Sequence, residues 1–392
     1  MMKCTTPRLR VLVLGYIVRG PLGGLAWHHL QYVLGLIALG HDVCFLEDSD
    51  DFPGCYNPQT HDVGTDPSYG LRFIANAFTR LGMEDRWAYH DAHSGQWFGP
   101  AVAAFKGGTS QFDVVLNISG VNPMRDWIRD TPRRVFIDTD PAFVQIRHLT
   151  DSAARALAAQ HTHFFTFGEN FGRPDCGIPD DGFVWRPTRQ PVSLAHWPIA
   201  APNPDGPLTT VMQWDSYRVL EYDGRQYGMK SSSFPPYLDL PRRSGQQFEL
   251  AMGSASAPRE DLTRNGWGLR DPLEVTRDPW TYQRFIADSR AEFGIAKAGY
   301  VACRSGWFSE RSAAYLASGR PVIVQETGFS EWLSALDGVL TFATADEALA
   351  QVERLGRDYD AQCRAARRVA VEYFDARQVL SKLLDEVTAS GP

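Results

Sequence analysis

Short apolar runs alternate with amphipathic segments along the first half of the chain. Each run has the length of one buried strand, and the segments between them repeat apolar residues at helical spacing. The strands predicted here are 10–16, 42–47, 112–120, 133–140 and 162–169. A helix with apolar positions 26, 30, 33 and 37 follows the first strand, and another covers 151–160. Apolar strands separated by helices predict a parallel sheet that is covered on both faces.

A proline-rich stretch at 198–207 interrupts this pattern, and a second alternating series follows it. Predicted strands are 209–214, 246–253, 299–305, 320–326 and 338–344, and predicted helices begin at Pro279, at Phe308 and after the capping box Thr344–Glu347. A helical pattern broken near 374–375 ends the chain. We therefore predict an α/β fold with doubly wound domains at 1–200 and 201–375, and a C-terminal helix at 376–392 that packs back on the first domain. The carboxyl ends of the two sheets would face each other across a cleft, the usual ligand site.

Composition narrows the class of protein. The 392 residues carry a net charge of −7 without a basic run, which argues against nucleic acid as a partner. The N-terminal apolar run at 11–18 is too short for a transmembrane segment, and no small-residue cleavage site follows it, so we predict a cytoplasmic protein. Six scattered cysteines show no zinc-ligand spacing, so no metal is expected. A homodimer is compatible with the sequence.

The segment 300–329 carries the most informative chemistry. Arg304 ends a predicted strand, a turn with Gly306 follows, and a helix begins near Ser309. Such a helix presents unpaired backbone N–H groups to an anion, Gly306 allows close approach, and Arg304 or Arg311 can pair with phosphate oxygens. These features predict a phosphate site that is not a Walker loop, with an ordinary strand–turn–helix as the alternative.

The same segment resembles the donor-binding region of GT-B glycosyltransferases, whose two Rossmann-like domains hold a nucleotide sugar between them. Gly306-Trp307-Phe308-Ser309 is similar to the G-W-N-S core of the plant UDP-sugar transferase motif, and the turn 317–324 is similar to one found in many GT-B enzymes. Nearly the whole chain also resembles a bacterial group of uncharacterised glycosyltransferases, through PLGGLAWHHLQYVLGL, YGLRF and SGWFS-x-RSA-x-YLASGRP.

This resemblance implies further donor-site residues in the second domain. Lys230, in the loop after Trp214, stands where related enzymes neutralise the leaving diphosphate, although a solvated lysine is the alternative. Trp267 lies near the expected nucleobase site and could stack on the base, with a buried core tryptophan as the alternative. The residues that would contact sugar hydroxyls are Glu326, Thr327 and Gly328. Glu292 and Lys297 are interpreted as a helix-face charge and a turn residue, with an approach to the donor as the alternative.

The chain departs from the family patterns at two positions. The glutamate that binds ribose in the plant motif falls at Ser312, so either Glu310 takes that role or no residue does. Ala314 stands where retaining enzymes carry a second glutamate. These motifs therefore leave inversion and retention of configuration both open.

Four residues of the first domain are candidate catalytic groups. His28 and His29 follow the first glycine-rich turn, near the catalytic histidine of several inverting GT-B enzymes, and either one could also be structural. Asp138 and Asp140 end a predicted strand at its functional edge, where each could act as a base, hold the acceptor or cap a turn. Gly23 and Gly24 would give clearance for the donor phosphates or the acceptor.

The expected function is metal-independent transfer of a sugar from a nucleotide sugar, most simply a UDP- or TDP-sugar, to a small-molecule or saccharide acceptor. The nucleotide sugar is a co-substrate, and no cofactor is expected. Three alternatives stay open: a nucleotide-sugar epimerase, a bilobed binding protein without catalysis, and an NAD-linked oxidoreductase. The last rests on the turn 20–24 and on Glu47 and Asp48, but the G-x-G-x-x-G pattern is absent.

Overall fold

A computed structural model describes residues 8–50, 54–107, 110–334 and 337–389. The ends of the predicted domains at 1–7 and 390–392 lie outside these ranges. The strands are β1 Arg10–Leu14, β2 Asp42–Asp48, β3 Cys55–Asn57, β4 Asp62–Gly64, β5 Trp87–Asp91, β6 Gln96–Phe98, β7 Val114–Ile118, β8 Arg133–Asp138, β9 His163–Thr166, β10 Trp185–Pro187, β11 Leu208–Gln213, β12 Leu220–Tyr222, β13 Arg225–Tyr227, β14 Phe248–Gly253, β15 Trp267–Arg270, β16 Ala291–Gly294, β17 Val322–Gln325 and β18 Val339–Phe342.

Helices cover both sheets. They are α1 Gly23–Ala38, α2 Ser68–Arg80, α3 Asp126–Arg129, α4 Phe143–Thr150, α5 Ser152–Ala158, α6 Lys230–Ser233, α7 Leu240–Ser244, α8 Arg259–Arg264, α9 Pro272–Thr276, α10 Pro279–Asp288, α11 Ala298–Ala302, α12 Glu310–Ala317, α13 Ala345–Arg357, α14 Tyr359–Tyr373 and α15 Ala376–Ala389. None of the helices within the described ranges is both long enough and apolar enough to cross a lipid bilayer.

Two mainly parallel sheets organise the chain. The first has the order β10-β9-β8-β7-β1-β2-β5-β6, with only β6 antiparallel to its neighbour, and defines the N-terminal lobe. The second has the order β15-β14-β11-β16-β17-β18, is parallel throughout and defines the C-terminal lobe. Residues 11–14 and 114–118 are fully buried, as strands covered on both faces must be. The predicted doubly wound α/β architecture is confirmed.

Local sequence signals place several helix ends. Asp278 caps α10 by accepting hydrogen bonds from the N–H groups of Trp280 and Thr281. The predicted capping box at Thr344 and Glu347 begins α13. The break predicted near 374–375 separates α14 from α15, and α15 packs against α1 where Gly35 faces Ala376 and Leu380.

Two predictions in the C-terminal lobe are wrong. Residues 299–305 do not form a strand, because α11 occupies 298–302 and the strand of this unit is β16. A short apolar run has no periodicity that distinguishes a strand from a helix. The strand β16 was not predicted because it contains the charged residue Glu292. Glu292 therefore lies buried on β16 and not on a helix face.

Candidate active site

A cleft of about 950 Å³ lies between the carboxyl ends of the two sheets. Residues that follow β1 and β8 line it from the N-terminal lobe, together with the start of α1. Residues that follow β11, β14, β15 and β16 line it from the C-terminal lobe, together with the start of α12. The predicted site residues that line the cleft are Gly24, His28, Asp140, Lys230, Trp307, Ser309, Glu310 and Arg311.

The first turn of α12 forms one wall of the cleft. Ser309 is its N-cap, and its hydroxyl accepts a hydrogen bond from the Arg311 N–H at 3.2 Å. Arg311 is held in place because its Nε donates to Glu292 Oε1 at 2.6 Å and its Nη1 donates to the Val211 carbonyl at 2.8 Å. Glu310, the first residue of α12, is exposed at this wall. The wall thus combines a helix N-terminus with one fixed cation and one carboxylate.

Lys230 is the first residue of α6 and faces the same cleft. Within the described ranges no carboxylate forms an ion pair with its ammonium group, although the side chain is half-buried. Burial first, and then the charges of Arg311 and Lys297, lower the pKa of Lys230 to about 7 against the opposing effect of Glu310 and Glu292. The ammonium group of Lys230 therefore has no ion-pair partner among the described residues, and an anion in the cleft would stabilise its charged form.

Asp140 joins the two lobes at another wall of the cleft. Its carboxylate accepts hydrogen bonds from Lys297 Nζ at 2.8 and 3.0 Å and from the hydroxyls of Tyr217 and Tyr300. Lys297 Nζ also donates to the Tyr217 hydroxyl at 2.7 Å and lies over the ring of Phe143 at 4.8 Å. Lys297 is thus a cleft residue that contacts Asp140, and not only the turn residue that the sequence predicted.

The two neighbouring histidines have different environments. His28 lines the cleft, and burial lowers its pKa in spite of the nearby Glu310 carboxylate, so the ring is neutral at pH 7 and able to accept a proton. His29 is fully buried, with Nδ1 2.9 Å from the Leu25 carbonyl and Nε2 3.3 Å from the Tyr16 backbone nitrogen. Both ring nitrogens of His29 thus have partners, and His28 is the member of the predicted pair that lines the cleft.

Asp138 is buried below the cleft, where its carboxylate stabilises the end of β8. Its carboxylate accepts hydrogen bonds from Gln145 Nε2 at 3.0 Å, Thr166 Oγ1 at 2.7 Å and the Asp140 N–H at 2.8 Å. Burial raises the pKa of Asp138 to about 6. These three bonds hold the end of β8 and orient Asp140, so the candidate role as a base does not suit Asp138.

Arg304 and Gly306, in the loop before α12, contact the N-terminal lobe and do not line the cleft, whereas Trp307 of the same loop does. Arg304 pairs with Asp175 at 3.1 Å and Glu331 at 3.2 Å, on the outside of the protein. Gly306 has a φ of +74°, and a Cβ there would lie 2.8 Å from the Asn170 side chain. Arg304 was predicted to pair with phosphate and Gly306 to allow its close approach; the structure places both residues at the joint between the lobes.

The Glu326–Gly328 turn, predicted to contact sugar hydroxyls, lies behind this loop and does not line the cleft. Glu326 Oε1 accepts a hydrogen bond from the Gly328 N–H at 2.6 Å, and Thr327 Oγ1 donates to the Trp307 carbonyl at 2.5 Å. Asn170 Nδ2 donates to the Gly328 carbonyl at 2.9 Å. The turn therefore supports Trp307 from behind and has no face on the cleft.

Three further predicted residues are part of the C-terminal core. Trp267 is buried, donates from Nε1 to the Leu238 carbonyl at 2.8 Å and packs on Phe234, so it does not stack on a base. Trp214 is also buried against Phe234, and Ser312 is 1% exposed. The cleft residues near β15 are instead Asp271, Pro272 and Leu273, which directly follow the strand.

The predicted glycine pair lies where α1 meets α10. A Cβ at Gly23 would lie 2.2 Å from the Asp278 carbonyl oxygen, and a Cβ at Gly24 would contact the ring of Tyr282. Trp27 Nε1 donates to the Pro279 carbonyl at 2.7 Å beside them. The glycines thus allow a close approach of the two lobes, and only Gly24 also faces the cleft.

Glu47 does not line the cleft but holds the loop after β1, a role that the sequence did not predict. It is fully buried and accepts hydrogen bonds from three consecutive N–H groups, those of Ile17 at 2.5 Å, Val18 at 2.6 Å and Arg19 at 2.8 Å. Arg19 Nε adds a contact at 3.1 Å. Burial raises the pKa of Glu47, although Arg19 and the three N–H groups oppose that shift. A carboxylate of the protein therefore fills the anion-binding loop that follows β1.

Comparisons with known proteins identify the fold. No protein-family model and no curated protein sequence matches the chain. AviGT4, a glycosyltransferase involved in avilamycin A biosynthesis, is 15% identical over 98% of this chain and 99% of its own, with a TM-score of 0.53. An alpha-glucosyltransferase in complex with UDP and a 13-mer DNA is 10% identical over 97% of this chain and 100% of its own, with a TM-score of 0.58. HepE from Anabaena, in complex with UDP and glucose, is 10% identical over 97% of this chain and 100% of its own, with a TM-score of 0.56. This chain therefore has the two-lobed GT-B fold that these glycosyltransferases share, as its sequence motifs predicted.

Proposed function

We propose that the protein transfers a sugar from a UDP- or TDP-sugar to a small-molecule or saccharide acceptor. The observation that carries this proposal is Lys230, which lies in a cleft between two GT-B lobes and forms no ion pair within the described ranges. Lys230 is also close enough to Arg311 for the two charges to interact. A diphosphate leaving group needs concentrated positive charge, which two cations and the N-terminus of α12 can supply. The same three features provide neutralisation without a metal ion, and a metal-independent reaction is part of the proposal.

Proteins with the same fold support this choice of donor. HepE and the alpha-glucosyltransferase have been solved with UDP, and the latter also with UDP-glucose. The alpha-glucosyltransferase has been solved with DNA as well. The net charge of −7 favours a different kind of acceptor for this chain, because a DNA surface needs an excess of lysine and arginine.

The cleft suggests a role for each wall. We assign the diphosphate to Lys230, Arg311 and the first turn of α12, and a sugar or ribose hydroxyl to the exposed carboxylate of Glu310. The nucleobase would lie towards Asp271–Leu273, which the cleft also reaches. The acceptor would lie on the side of the N-terminal lobe, where neutral His28 and the carboxylate of Asp140 are the candidate bases.

The alternative functions predict different chemistry in the same molecule. An oxidoreductase would bind the pyrophosphate of NAD at the loop after β1, but Glu47 occupies three N–H groups of that loop. An epimerase would convert the nucleotide sugar without an acceptor. A binding protein would hold its ligand without turnover.

A ligand screen by thermal shift and calorimetry tests the proposal. We expect UDP or TDP to stabilise the protein, and NAD to have no effect. A ligand at about 100 times its Kd adds roughly 2.7 kcal/mol to the free energy of unfolding, which is easily measured. Stabilisation by NAD and not by any nucleoside diphosphate would overturn the proposal. Release of UDP from UDP-sugar that depends on added acceptor would separate a transferase from an epimerase.

The pH dependence of UDP affinity provides a second prediction. Lys230 must be charged to bind a diphosphate, and its pKa of about 7 in the free protein means that the charged fraction falls as the pH rises above 7. We expect the UDP association constant to fall up to about tenfold per pH unit above that value, with uptake of close to one proton at about pH 8. Calorimetry in two buffers with different ionisation enthalpies measures both quantities. An affinity that stays constant between about pH 7 and pH 8.5 would contradict the role of Lys230.

A further inference from the structure

We propose that Lys297 changes partner when the donor binds: it pairs with Asp140 in the free protein and with the diphosphate in the loaded protein, which releases Asp140 towards the acceptor. This inference rests on the proposed function, because it requires a diphosphate in the cleft. It assigns Lys297 and Asp140 a coupled role that neither residue would have alone.

The free protein holds the two groups together across the lobe boundary. Asp140 follows β8 of the N-terminal lobe, whereas Lys297 follows β16 of the C-terminal lobe, and their contacts are 2.8 and 3.0 Å. Both residues line the cleft, and 14% of the Lys297 side chain and 25% of the Asp140 side chain are exposed. The ion pair is thus open to a ligand and is not sealed in the core.

Lys297 lines the same cleft as Lys230 and the first turn of α12. The charge of Lys297 lowers the pKa of Lys230, so the two ammonium groups share one electrostatic environment. A diphosphate carries more negative charge than one carboxylate and would compete for Lys297. Arg311 is less able to move, because Glu292 and the Val211 carbonyl hold its guanidinium and only 11% of its side chain is exposed.

Asp140 would remain stabilised after Lys297 leaves. The hydroxyls of Tyr217 and Tyr300 both donate to its carboxylate, so the charge keeps two hydrogen bonds. The ring centroids of Phe143, Tyr217 and Tyr300 lie 4.4 to 5.3 Å from Lys297 Nζ. These rings would limit the conformations of the Lys297 side chain during the exchange. Asp140 would then accept a hydrogen bond from an acceptor hydroxyl only when the donor is present, which predicts ordered binding.

A double-mutant cycle on UDP affinity tests the exchange. In the free protein Asp140 competes with UDP for Lys297, so the isosteric change Asp140→Asn should tighten UDP binding about tenfold, within the range of coupling between neighbouring charges. Lys297→Met should weaken binding. In the Lys297→Met background, Asp140→Asn should change the UDP affinity less than about twofold, because the competition no longer exists.

Glu310→Gln is the matched control, since it removes another cleft carboxylate that has no hydrogen bond to Lys297 among the described residues. Its effect on UDP affinity should be the same with and without Lys297. If Asp140→Asn weakens UDP binding, or tightens it equally in both backgrounds, the exchange is wrong while the donor site stands. If UDP fails to bind the wild-type protein, the proposed function itself fails.

Tyr217→Phe provides a second test in case Asp140→Asn does not fold. This change removes a hydroxyl that bonds both Asp140 and Lys297 and leaves both charges in place. The pair should loosen, and UDP should bind a few-fold more tightly. Unchanged or weaker binding by folded Tyr217→Phe would overturn the exchange.

Discussion

The change Lys230→Met should reduce kcat/KM for a UDP-sugar by about 100-fold or more, which is the scale of losing one preorganised group that stabilises transition-state charge. Methionine keeps most of the side-chain volume, so packing at the start of α6 is preserved. The negative charge on the leaving diphosphate increases as the glycosidic bond breaks, and Lys230 is a cleft cation whose charge no protein carboxylate pairs in the described ranges. Both kcat and UDP affinity should therefore fall, and steady-state kinetics with calorimetry would measure them.

Two control variants separate charge from structure. Lys230→Arg should recover much of the activity and remove the loss of affinity above pH 7, because arginine stays protonated throughout that range. Lys382→Met removes an exposed lysine of α15, remote from the cleft, and should leave kcat/KM within about twofold. A Lys230→Met enzyme with wild-type kinetics would show that the diphosphate lies elsewhere.

The architecture was predictable because it depends on patterns that repeat over many residues. Buried strands such as β1 and β7 are continuous apolar runs, and caps such as Asp278 and Thr344 act within their own helix. The failure at 299–305 has a local cause, since so short an apolar run carries no periodicity that distinguishes a strand from a helix. Sequence alone also could not show that Glu292 is buried, because its partner Arg311 belongs to another element.

The candidate site was only partly predictable, because motif position does not determine the direction of a side chain. Ser309, Glu310 and Arg311 face the cleft, but Arg304 in the same segment points outward to Asp175. Gly306 has the backbone conformation expected of a phosphate loop, yet its close neighbour is Asn170 of the other lobe. Contacts between segments that are distant in sequence determine where Arg304 and Gly306 lie. The spacing of residues along the chain does not reveal such contacts.

The change Glu47→Gln should be the most destabilising polar substitution in the N-terminal lobe, with a loss of about 3–5 kcal/mol in the free energy of unfolding. The carboxylate accepts from three consecutive N–H groups and from Arg19 Nε, and the carboxamide would turn one acceptor into a donor that faces donors. The unpaired N–H groups and the Arg19 charge would stay buried. Guanidinium denaturation followed by tryptophan fluorescence measures the loss.

Asp42→Asn is the matched control, because Asp42 lies on the same strand with 42% of its side chain exposed and pairs with Arg86 at the surface. Its loss should stay below about 1 kcal/mol. Equal denaturation midpoints for the two variants would show that Glu47 does not hold the loop.

The Glu47→Gln protein also tests the oxidoreductase alternative directly, since it frees N–H groups that an anion could bind. If that variant gains affinity for NAD while its affinity for UDP is unchanged, the loop after β1 is a latent dinucleotide site. We expect no such gain, because those N–H groups close around Glu47 and the cleft binds its anion at Lys230.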